Sequence, residues 1–403
     1  MKVDMISTPD DGSCGIGTYT GDLSSSFNGI ATELLPINQD RRTVVHFLAL
    51  AIFAVTSDRD VIHVQHEYGL FRRTSIGYPS VMGWVFFPVL FALSAVRNVP
   101  VVITLHSVLS PDEGSIRRRL YMRAMHRFLA AGADHLVFLS DECMNRFLRD
   151  VALSEDEYTR LPHGVNVRDT TSMDETEAKA SFGYAPDDQV VMIPGYMRPP
   201  KGHDIFADLA SRRPEYEFLI AGGARPKGED HDFAERIASE APENVQITGI
   251  LDDDEFDAAF NAADLAVLPY RVVSQSGTFN WCAAHELPAL TSEEPYFARL
   301  EREWGVVLTA DIESIDELAR TLDSILESPK TLRALGENMA LYKRANSFER
   351  VAEHHEDIYR SVYREEYDLQ VVDPLSESKD ETTRPASSEE PHRAIADANA
   401  GTS

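Results

Sequence analysis

The stretch VVMIPGYMRPPKGHDIFADLA (190–210) contains, in this order, a short apolar run, a proline-rich loop and a helical pattern. An apolar run of this length followed directly by a helix is typical of a buried strand in a parallel sheet. The same succession recurs along the chain. We therefore predict an α/β fold with two Rossmann-like, doubly wound parallel-sheet domains that face each other across a cleft.

The predicted strands fall into two series, separated by a polar and acidic stretch that indicates a linker and a short helix (169–189). They are VIHVQ (61–65), VVITLH (101–106) and HLVFL (135–139), then VVMIPG (190–195), EFLIAGG (217–223), VQITG (245–249), LAVLPY (265–270) and PALT (288–291). We predict a first domain over 1–167, a second over 168–345, a terminal helix over 346–370 and a disordered acidic tail over 371–403.

The composition limits the possible partners. The chain has 403 residues, a formal net charge of -28 and only seven lysines. Acidic residues are spread along its whole length, which is typical of adaptation to high salt and favours solubility. The alternative is an acidic face for a basic partner. A surface of this charge repels phosphate backbones, so we expect no nucleic-acid partner.

Three features bear on the compartment. The three cysteines (Cys14, Cys143, Cys282) are far apart and form no CxxC pair, which favours a reducing environment and argues against a zinc site. The first residues, MKVDMIST, are too polar for a secretion signal. The apolar run VMGWVFFPVLFALSAV (81–96) is shorter than a span of about 20 residues and contains Pro88. We interpret it as a buried helix, with a membrane-embedded segment as the alternative, and expect a cytoplasmic protein.

Ligands of open α/β sheets bind beyond the carboxyl ends of the strands, so candidate residues are those that directly follow strands. Gly15 and Gly17 lie in DGSCGIGTYTGDL (11–23), after the first strand and at the start of a helix. Glycines there let a ligand approach the backbone, and a helix N-terminus attracts anions. A plain strand–helix turn is the alternative.

Two histidines also follow strands. His66 and Glu67 come just past one strand in HVQHEYGLF (63–71), and His106 ends the next strand in VVITLHS (101–107). A histidine at a strand end is often only a satisfied structural residue. Two of them at the same edge of the sheet favour a site.

The second series carries two candidate anion sites. Arg198 and Lys201 lie in the loop quoted above, where a guanidinium and an ammonium group can neutralise a diphosphate, unless they are only a solvated pair. In YRVVSQSGTFNWCAAHELP (270–288), small and hydroxyl-bearing residues (Gln275, Ser276, Gly277) open another helix. Together the two loops could grip both phosphates of a nucleoside diphosphate. ITGI (247–250), after a middle strand, could hold a base through the backbone of Gly249 and Ile250, with ordinary packing as the alternative.

A cluster of arginines contrasts with the acidic chain. IRRRLYMRAMHR (116–127) carries Arg117, Arg118, Arg119, Arg123 and Arg127. They are either a solvated helix face paired with nearby carboxylates, or a contact with lipid headgroups or a phosphorylated acceptor.

The sequence resembles the family-4 glycosyltransferases, which have the GT-B fold and are retaining and nucleotide-sugar-dependent. The resembling motifs cover nearly everything before the tail. They are GIGTY, HVQHEYGLF, TLH, FLS, LPHGVN, GYMRPPKG, IAGG, NVQITG, AADLAVLPY, SQSG and SFERVAEHHEDIY. Each motif is loose alone, and their common order and spacing are specific.

The resemblance implies roles for residues already singled out. Arg198 and Lys201 would bind the donor diphosphate and stabilise the leaving group, and Ser276 with Gly277 would bind the distal phosphate. Gly15 and Gly17 would lie next to the phosphate and sugar, and His106 near the transferred sugar. The terminal helix would cross back onto the first domain.

One departure from the family concerns its Glu-x7-Glu motif, whose acids contact the sugar and the ribose. Here the first position falls in SQSG and the second near Trp281, so neither is a carboxylate. This resembles a sub-branch in which SQSG replaces the first acid. The nearby Glu286 is not assigned the role.

The resemblance therefore implies a hexosyltransferase-type enzyme (EC 2.4) that uses a UDP- or GDP-sugar. The acceptor would be a glycan, a lipid-linked molecule or a polysaccharide, and the protein could contact the membrane peripherally. The candidate contacts of the acceptor or the membrane are His66, Glu67, Arg117, Arg118, Arg119 and Arg123. No carboxylate cluster follows the strands of the second series, so we expect no metal or other cofactor. The alternatives are a catalytically silent partner subunit that binds a nucleotide or glycan, and an epimerase, for which the sequence offers no clear pair of acid/base carboxylates.

Overall fold

The computed structural model describes residues 1–12, 14–38, 42–72, 80–109, 115–167, 173–225, 230–273 and 275–368. Met1–Glu366 form one compact unit. The predicted tail (371–403) lies outside the described residues. The predicted boundary at 167/168 falls where one described range ends, and it stays a prediction.

The first sheet has six strands, all parallel, in the order β2-β1-β3-β4-β5-β6. Its strands are β1 (Lys2–Ser7), β2 (Ala31–Pro36), β3 (Val61–His66), β4 (Val101–Leu105), β5 (His135–Phe138) and β6 (Tyr158–Arg160). The helices between them are α1 (Gly15–Ser26), α2 (Val44–Thr56), α3 (Gly83–Arg97), α4 (Ile116–Gly132) and α5 (Asp141–Leu148).

The second sheet also has six parallel strands, in the order β12-β11-β10-β7-β8-β9. They are β7 (Val190–Pro194), β8 (Glu217–Ala221), β9 (Val245–Ile247), β10 (Leu265–Leu268), β11 (Ala289–Ser292) and β12 (Val307–Ala310). Its helices are α6 (Glu175–Ser181), α7 (His203–Arg212), α8 (His231–Glu240), α9 (Asp253–Ala262), α10 (Gly277–Ala284), α11 (Pro295–Trp304), α12 (Ile315–Leu326) and α13 (Pro329–Ala345). The last helix is α14 (Phe348–Asp368).

These two sheets confirm the predicted α/β fold with two doubly wound layers. Every apolar run that predicted a strand coincides with one. Three strands were not predicted (β2, β6 and β12), and β1 was expected only as a strand before residues 11–23, without bounds. The position of ITGI after a middle strand is wrong, because β9 is the edge strand of its sheet.

Helices cover both faces of the first sheet. One core joins β3, β4 and β5 to α2, α3, α4 and α5, and includes Phe47, Phe86, Leu90 and Phe147. The other core, on the opposite face, joins the sheet to α1 and α14. Because both faces are covered, β3 is buried along its whole length, and its polar side chains His63, Gln65 and His66 lie inside the protein with its apolar ones.

Helix α3 contains the apolar run 81–96. Its inward side chains Phe86, Phe87 and Leu90 are fully buried, whereas Trp84 and Val96 are exposed. The predicted buried helix is therefore buried on one face only. Among the described residues, no helix combines the length and the apolar character needed to cross a bilayer.

Helix α14 returns to the first sheet after the chain has completed the second. Tyr359 and Val351 of α14 are fully buried in the core that also holds Val3 and Val61. Where the chain passes between the two sheets, Val165 and Ser347 form a parallel bridge, with Val165 N–H donating to Asn346 O and Phe348 N–H to Val165 O. The two passages therefore run side by side.

Removal of the Phe348 ring should destabilise the first half of the molecule. Phe348 is buried at the start of α14 and packs 5.5 Å from the Tyr19 ring. We expect Phe348→Ala to cost about 3–5 kcal/mol, because it removes a buried aromatic ring, and to lower the urea midpoint of unfolding. The control, Phe53→Ala at an exposed position of α2, should change stability by about 0.5 kcal/mol or less. Equal midpoints for both variants would contradict the packing described for α14.

Candidate active site

The loops that follow β7 and β10 lie side by side because these strands are neighbours in the second sheet. The first loop carries Arg198 and Lys201, and the second leads into α10 through Gln275 and Ser276. Lys201 Nζ donates to Thr278 Oγ1 at 3.1 Å, in the first turn of α10. The two predicted anion sites are therefore one continuous site. Ser274 lies outside the described residues.

A tight clamp fixes the turn Pro199–Lys201 against the β10 loop. Gly202 adopts φ +73°, and a Cβ there would stand 2.2 Å from Pro269 O, so only glycine fits. Arg271 N–H donates to Pro200 O at 2.9 Å. Its guanidinium holds both carboxylate oxygens of Asp204, at 2.9 and 2.7 Å. Because of this clamp, the position of Lys201 does not depend on a bound ligand.

Lys201 is a buried cation. Its Nζ lies above Gly195, where a Cβ would be only 2.7 Å away, and 5.7 Å from the Tyr270 ring centroid. Burial, with smaller contributions from Arg198 and Arg225, lowers the pKa of Lys201 to about 8. The ammonium form is thus retained at neutral pH without a carboxylate neighbour among the groups that shift this pKa, and it would gain from an anion.

Arg225 was not singled out from the sequence. It follows β8 in IAGGAR, at the same edge of the sheet, and its guanidinium lies 5.4 Å from the Tyr196 ring centroid. Arg198 is held from one side by Asp230, with 3.3 Å between Nε and Oδ2. The loop after β7 therefore carries two cationic side chains, Arg198 and Lys201, and a third, Arg225, lies in the neighbouring loop after β8. The rule that ligands bind beyond strand ends would have indicated Arg225 as well.

The start of α10 supplies backbone N–H donors in place of cationic side chains. Ser276 is the N-cap, and its side chain accepts from Phe279 N–H at 3.1 Å. No atom stands within 4 Å of a Cβ built on Gly277. Gln275 Oε1 is buried without a hydrogen-bond partner among the described residues. The N-terminus of α10 thus combines an open approach with a positive helix end.

Gly249 and Ile250 lie further along the same rim. Met197 N–H donates to Gly223 O at 2.9 Å, and a Cβ on Gly223 would stand 3.2 Å from Gly249 Cα. The loops after β7, β8 and β9 are therefore contiguous. Ile250 is 56% exposed, so it is available to a ligand although it follows an edge strand.

Gly15 and Gly17 occupy different environments. A Cβ on Gly17 would stand 2.0 Å from Pro9 O, whereas nothing lies within 4 Å of one on Gly15. Gly17 therefore lets α1 approach the loop after β1, and only Gly15 offers open space to a ligand. The predicted pair divides into one packing residue and one candidate contact.

His106 lies within hydrogen-bond distance of Gln65, with 2.8 Å between its Nε2 and Gln65 Oε1. Its ring packs edge-on against Tyr19 at 4.9 Å. Burial first, then the neighbouring His163 and His66, hold the pKa of His106 well below its ordinary value. His106 is therefore neutral at physiological pH.

His163 and Asn280 join the two halves of the site. The His163 ring packs 4.9 Å from Tyr19. Its Nδ1 lies 2.8 Å from the side-chain nitrogen of Asn280, which also donates to the carbonyl oxygens of His163 and Gly164 at 3.2 Å. Since Asn280 is one turn beyond Ser276 in α10, the surroundings of His106 adjoin the anion site of the second sheet. Neither residue was predicted.

The predicted contact of His66 with an acceptor is wrong. His66 is fully buried and stacks on Phe71 at 5.5 Å, and burial lowers its pKa to about 3. It is a neutral core residue because its side chain points into the apolar layer under α3. Glu67 is partly exposed, and its Oε2 accepts from Gly69 N–H at 2.6 Å, which stabilises the turn after β3. Burial raises the pKa of Glu67.

The arginines of α4 lie apart from this site, on the helix layer of the first sheet. Arg117 and Arg119 are exposed and Arg118 is partly exposed. Arg123 pairs with Asp150, with 3.1 Å between Nε and Oδ1. Glu286 also lies elsewhere, beyond the C-terminal end of α10, where its Oε1 is 3.3 Å from Lys343 Nζ.

Taken together, the site offers cations and a helix N-terminus to an anion, next to a neutral histidine. Within the described part of the chain, no group of three or more His, Cys, Asp or Glu side chains is arranged to hold a metal ion. This is the chemistry of a site that binds a phosphate-bearing ligand.

The second sheet carries a family signature. Residues 174–341 match the family described as "Glycosyl transferases group 1". The D-inositol 3-phosphate glycosyltransferase of Segniliparus rotundus is 23% identical over 287 residues, which are 66% of this chain and 62% of that protein. The GDP-mannose-dependent monoacylated alpha-(1-6)-phosphatidylinositol monomannoside mannosyltransferase of Corynebacterium glutamicum is 24% identical over 152 residues, 36% of this chain and 39% of its own. The chain thus spans less than two thirds of these relatives.

Solved structures share the whole fold. Anabaena Alr3699/HepE in complex with UDP superposes with a TM-score of 0.70 at 14% identity, covering 90% of this chain and 100% of that one. Sucrose-phosphate synthase from Thermosynechococcus elongatus gives 0.69 at 16% identity, covering 91% and 100%. Residues 174–341 thus match a family of glycosyl transferases, and the solved structures share the two-sheet fold.

The acidity of Lys201 can be measured directly because the chain has only seven lysines. In the ligand-free protein with 13C-labelled lysine ε-carbons, we expect one NMR signal to titrate near pH 8, since burial and two arginines disfavour its charged form. That signal should be missing from Lys201→Arg and kept in Lys330→Arg, a change at an exposed lysine of α13. Seven signals that all titrate above pH 10 would contradict the buried position of Nζ.

Proposed function

We propose that this protein is a retaining glycosyltransferase that moves a sugar from a nucleoside-diphosphate donor to an acceptor hydroxyl. The observation that carries the proposal is the buried Lys201 ammonium beside Arg198 and Arg225, facing the N-terminus of α10. Such an arrangement gains most from a ligand with two linked phosphates, because the two loops present separate anion sites.

In the proposed reaction, the bond between the anomeric carbon and the diphosphate oxygen breaks and the acceptor oxygen bonds to the same face of the sugar. Negative charge then grows on the leaving diphosphate. Lys201 and Arg198 would stabilise it, and the start of α10 at Ser276 and Gly277 would bind the distal phosphate. The clamp on the Pro199–Lys201 turn keeps these donors in place before the ligand binds. We propose that the cations, rather than a metal ion, stabilise the leaving group.

Several names among the similar proteins agree with this proposal. The relatives in Segniliparus rotundus and Corynebacterium glutamicum are named as a glycosyltransferase and a mannosyltransferase. HepE has been crystallised with UDP-glucose. A hexose transferred from UDP or GDP is therefore the donor class that we propose, and Gly249 and Ile250 are the candidate contacts of the base.

A catalytically silent protein that binds a nucleotide or glycan is the second candidate. It is favoured by the absence of carboxylates from the Glu-x7-Glu positions in SQSG and near Trp281. Calorimetry with nucleoside diphosphates, together with donor hydrolysis measured over a panel of nucleotide sugars, separates the two. Binding of a diphosphate without turnover of any donor would favour the silent protein.

Replacement of Lys201 should abolish transfer while the fold survives. We expect Lys201→Ala to lower kcat/KM by a factor of about 100 or more, since one fixed donor to a developing charge contributes about 100- to 1,000-fold. The measurement is transfer from the best donor of the panel, with and without EDTA. Activity that requires added Mg²⁺ would contradict the proposed role of the cations.

The control for this experiment is Lys330→Ala, which removes an exposed lysine of α13 far from the cleft loops. Its activity should equal that of the wild type. Neither variant should unfold below the wild-type temperature, since Lys201→Ala removes a buried charge that two arginines repel. Undiminished turnover in Lys201→Ala would rule out its role.

We also propose that the acceptor is lipid-linked and that the protein docks on an anionic membrane through α2, α3 and α4. These helices lie side by side, as the Phe47–Phe86 and Trp84–Phe128 ring contacts at 6.3 and 5.2 Å show. Their 13, 15 and 17 residues include six arginines and no Asp or Glu. Acidic residues number 66 in the 403-residue chain, about one in six, so their absence from 45 adjacent helical residues marks this surface as different.

The outer side of this three-helix surface is also apolar. Its exposed apolar side chains include Val45 (75%), Ile52, Phe53 and Trp84, with Ile116 (72%) and Leu120 beside the arginines of α4. Apolar side chains mixed with arginines suit the headgroup region of an anionic bilayer, where each basic residue contributes about 1 kcal/mol. An acidic protein surface as the partner would satisfy the arginines but leave the apolar side chains in water. The name of the Corynebacterium glutamicum relative includes a phosphatidylinositol substrate, which agrees with a lipid-linked acceptor.

Vesicle flotation tests the membrane contact. We expect the wild type to float with phosphatidylglycerol vesicles, and a Val45→Asp/Phe53→Asp variant to bind at least about tenfold more weakly, because each apolar side chain contributes over 1 kcal/mol. Leu341→Asp, at an exposed leucine of α13, is the matched control and should bind like the wild type. Absence of wild-type flotation, or equal binding of the double variant, would contradict the docking surface.

A further inference from the structure

A chain of buried polar side chains connects α14 to His106 through the first sheet. His63 and Gln65 project from the same face of β3, because they are two residues apart. Gln65 Oε1 lies 2.8 Å from His106 Nε2, and Gln65 Nε2 lies 3.5 Å from His63 Nε2. His63 Nδ1 in turn lies 2.6 Å from the hydroxyl of Tyr359 in α14. All four side chains are buried, so none of them can exchange a lost partner for water.

The donors and acceptors among these four side chains determine the tautomers of the two histidines. A neutral imidazole carries one proton, and an amide oxygen only accepts. His106 is neutral, so its bond to Gln65 Oε1 places the proton on Nε2 and leaves Nδ1 as an acceptor. The Gln65 amide N–H groups then face His63 Nε2 at 3.5 Å, a long contact that favours an unprotonated Nε2 and leaves its lone pair to the closer hydroxyl of Thr104 at 2.7 Å. The His63 proton is therefore on Nδ1, where it is donated to the oxygen of Tyr359.

Two further contacts complete this arrangement. The Tyr359 hydroxyl donates to Met5 Sδ at 3.9 Å, and Thr104 Oγ1 lies 2.7 Å from His63 Nε2, where its hydroxyl can donate. The opposite orientation of the Gln65 amide would reverse each bond of the chain and move the His106 proton to Nδ1. The tautomers of His63 and His106 are therefore coupled through one amide.

We propose that Gln65 is a positioning residue, held by His63 and Tyr359, that keeps the proton of His106 on Nε2 and leaves Nδ1 as a hydrogen-bond acceptor. The consequence for catalysis rests on the proposed glycosyl transfer: His106 would accept a hydrogen bond from a substrate hydroxyl and would not donate one to the diphosphate. The terminal helix thus takes part in defining the site through Tyr359.

The test is a substitution of Tyr359, at the end of the hydrogen-bonded network that is farthest from His106. In Tyr359→Phe the Nδ1 proton of His63 loses its acceptor, so the His63 proton should move to Nε2 and donate to Thr104. The Gln65 amide should then reverse, and His106 should shift toward the Nδ1-protonated tautomer. We expect 15N-histidine NMR of the ligand-free protein to show Nε2-protonated His106 in the wild type and this shift in Tyr359→Phe. The His106 signals are assigned from their absence in His106→Gln.

Tyr184→Phe is the control, because it also removes a buried hydroxyl but lies in the second half of the molecule. Its His106 spectrum should match the wild type. Wild-type His106 protonated on Nδ1, or an unchanged tautomer in Tyr359→Phe, would overturn the proposal.

Activity supplies a separate readout. The kcat values of the wild type, Tyr359→Phe and Gln65→Met should fall in proportion to the Nε2-protonated fraction of His106, since only that fraction is competent. Equal kcat values at clearly different fractions would overturn the positioning role. A wild type without turnover of any donor would overturn the proposed function and leave the tautomer result standing, because the NMR measurement needs no reaction.

Discussion

The enclosed ammonium group of Lys201 is the interaction on which the candidate site depends. Removing a charge from water is costly unless an opposite charge compensates it, and the groups that most affect Lys201 after burial are two arginines. The contacts of Arg271 and Gly202 fix the turn that carries Lys201, so the ammonium group stays buried and does not move toward solvent. A phosphate-bearing ligand would therefore find its binding groups already ordered, and part of its binding free energy would come from relieving the repulsion between cations.

The second constraint is the way the two sheets are joined. Arg299 of α11 is largely buried and contacts Asp141 and Glu142 in the first turn of α5, at 2.5 and 3.3 Å. These carboxylates also lie at the positive end of their helix. Together with the bonds of Asn280 to the His163–Gly164 backbone, this ion pair holds the edge of the first sheet against the helices of the second. The neutral histidine and the cation cluster are thus kept adjacent by polar contacts between the two halves of the molecule.

The sequence was sufficient for those parts of the fold in which one physical signal dominates. β4, β7 and β8 are buried on both faces, so their apolar runs are nearly continuous. β3 is equally buried, although it contains His63, Gln65 and His66. β2 is an edge strand in which only Leu35 is buried, and β6 is an edge strand of three residues, so neither contains an apolar run long enough to predict a strand. The edge position of β9 depends on the chain building outward from β7 before it returns to β10. No local pattern records that order.

In the candidate site, too, residues with a local sequence signal could be predicted and residues placed by long-range packing could not. Arg198, Lys201 and Ser276 could be placed together because each follows a strand and precedes a helix. Whether a strand-end histidine faces a cleft or the core depends on the helix packed over it, and for His66 that helix is α3. Gln65, His63 and Tyr359 are more than 290 residues apart at their extremes, so only the folded structure could connect them.

The return of α14 to the first sheet has a consequence for biosynthesis. The residues that cover Val3, Met5 and Tyr19 are made last, after the whole second sheet has left the ribosome. Until then an apolar face of the nascent first half has no partner within the chain, and it is a natural binding surface for a chaperone. A fragment that ends before α14 would keep that face exposed, whereas one that joins residues 1–167 directly to α14 would restore its cover.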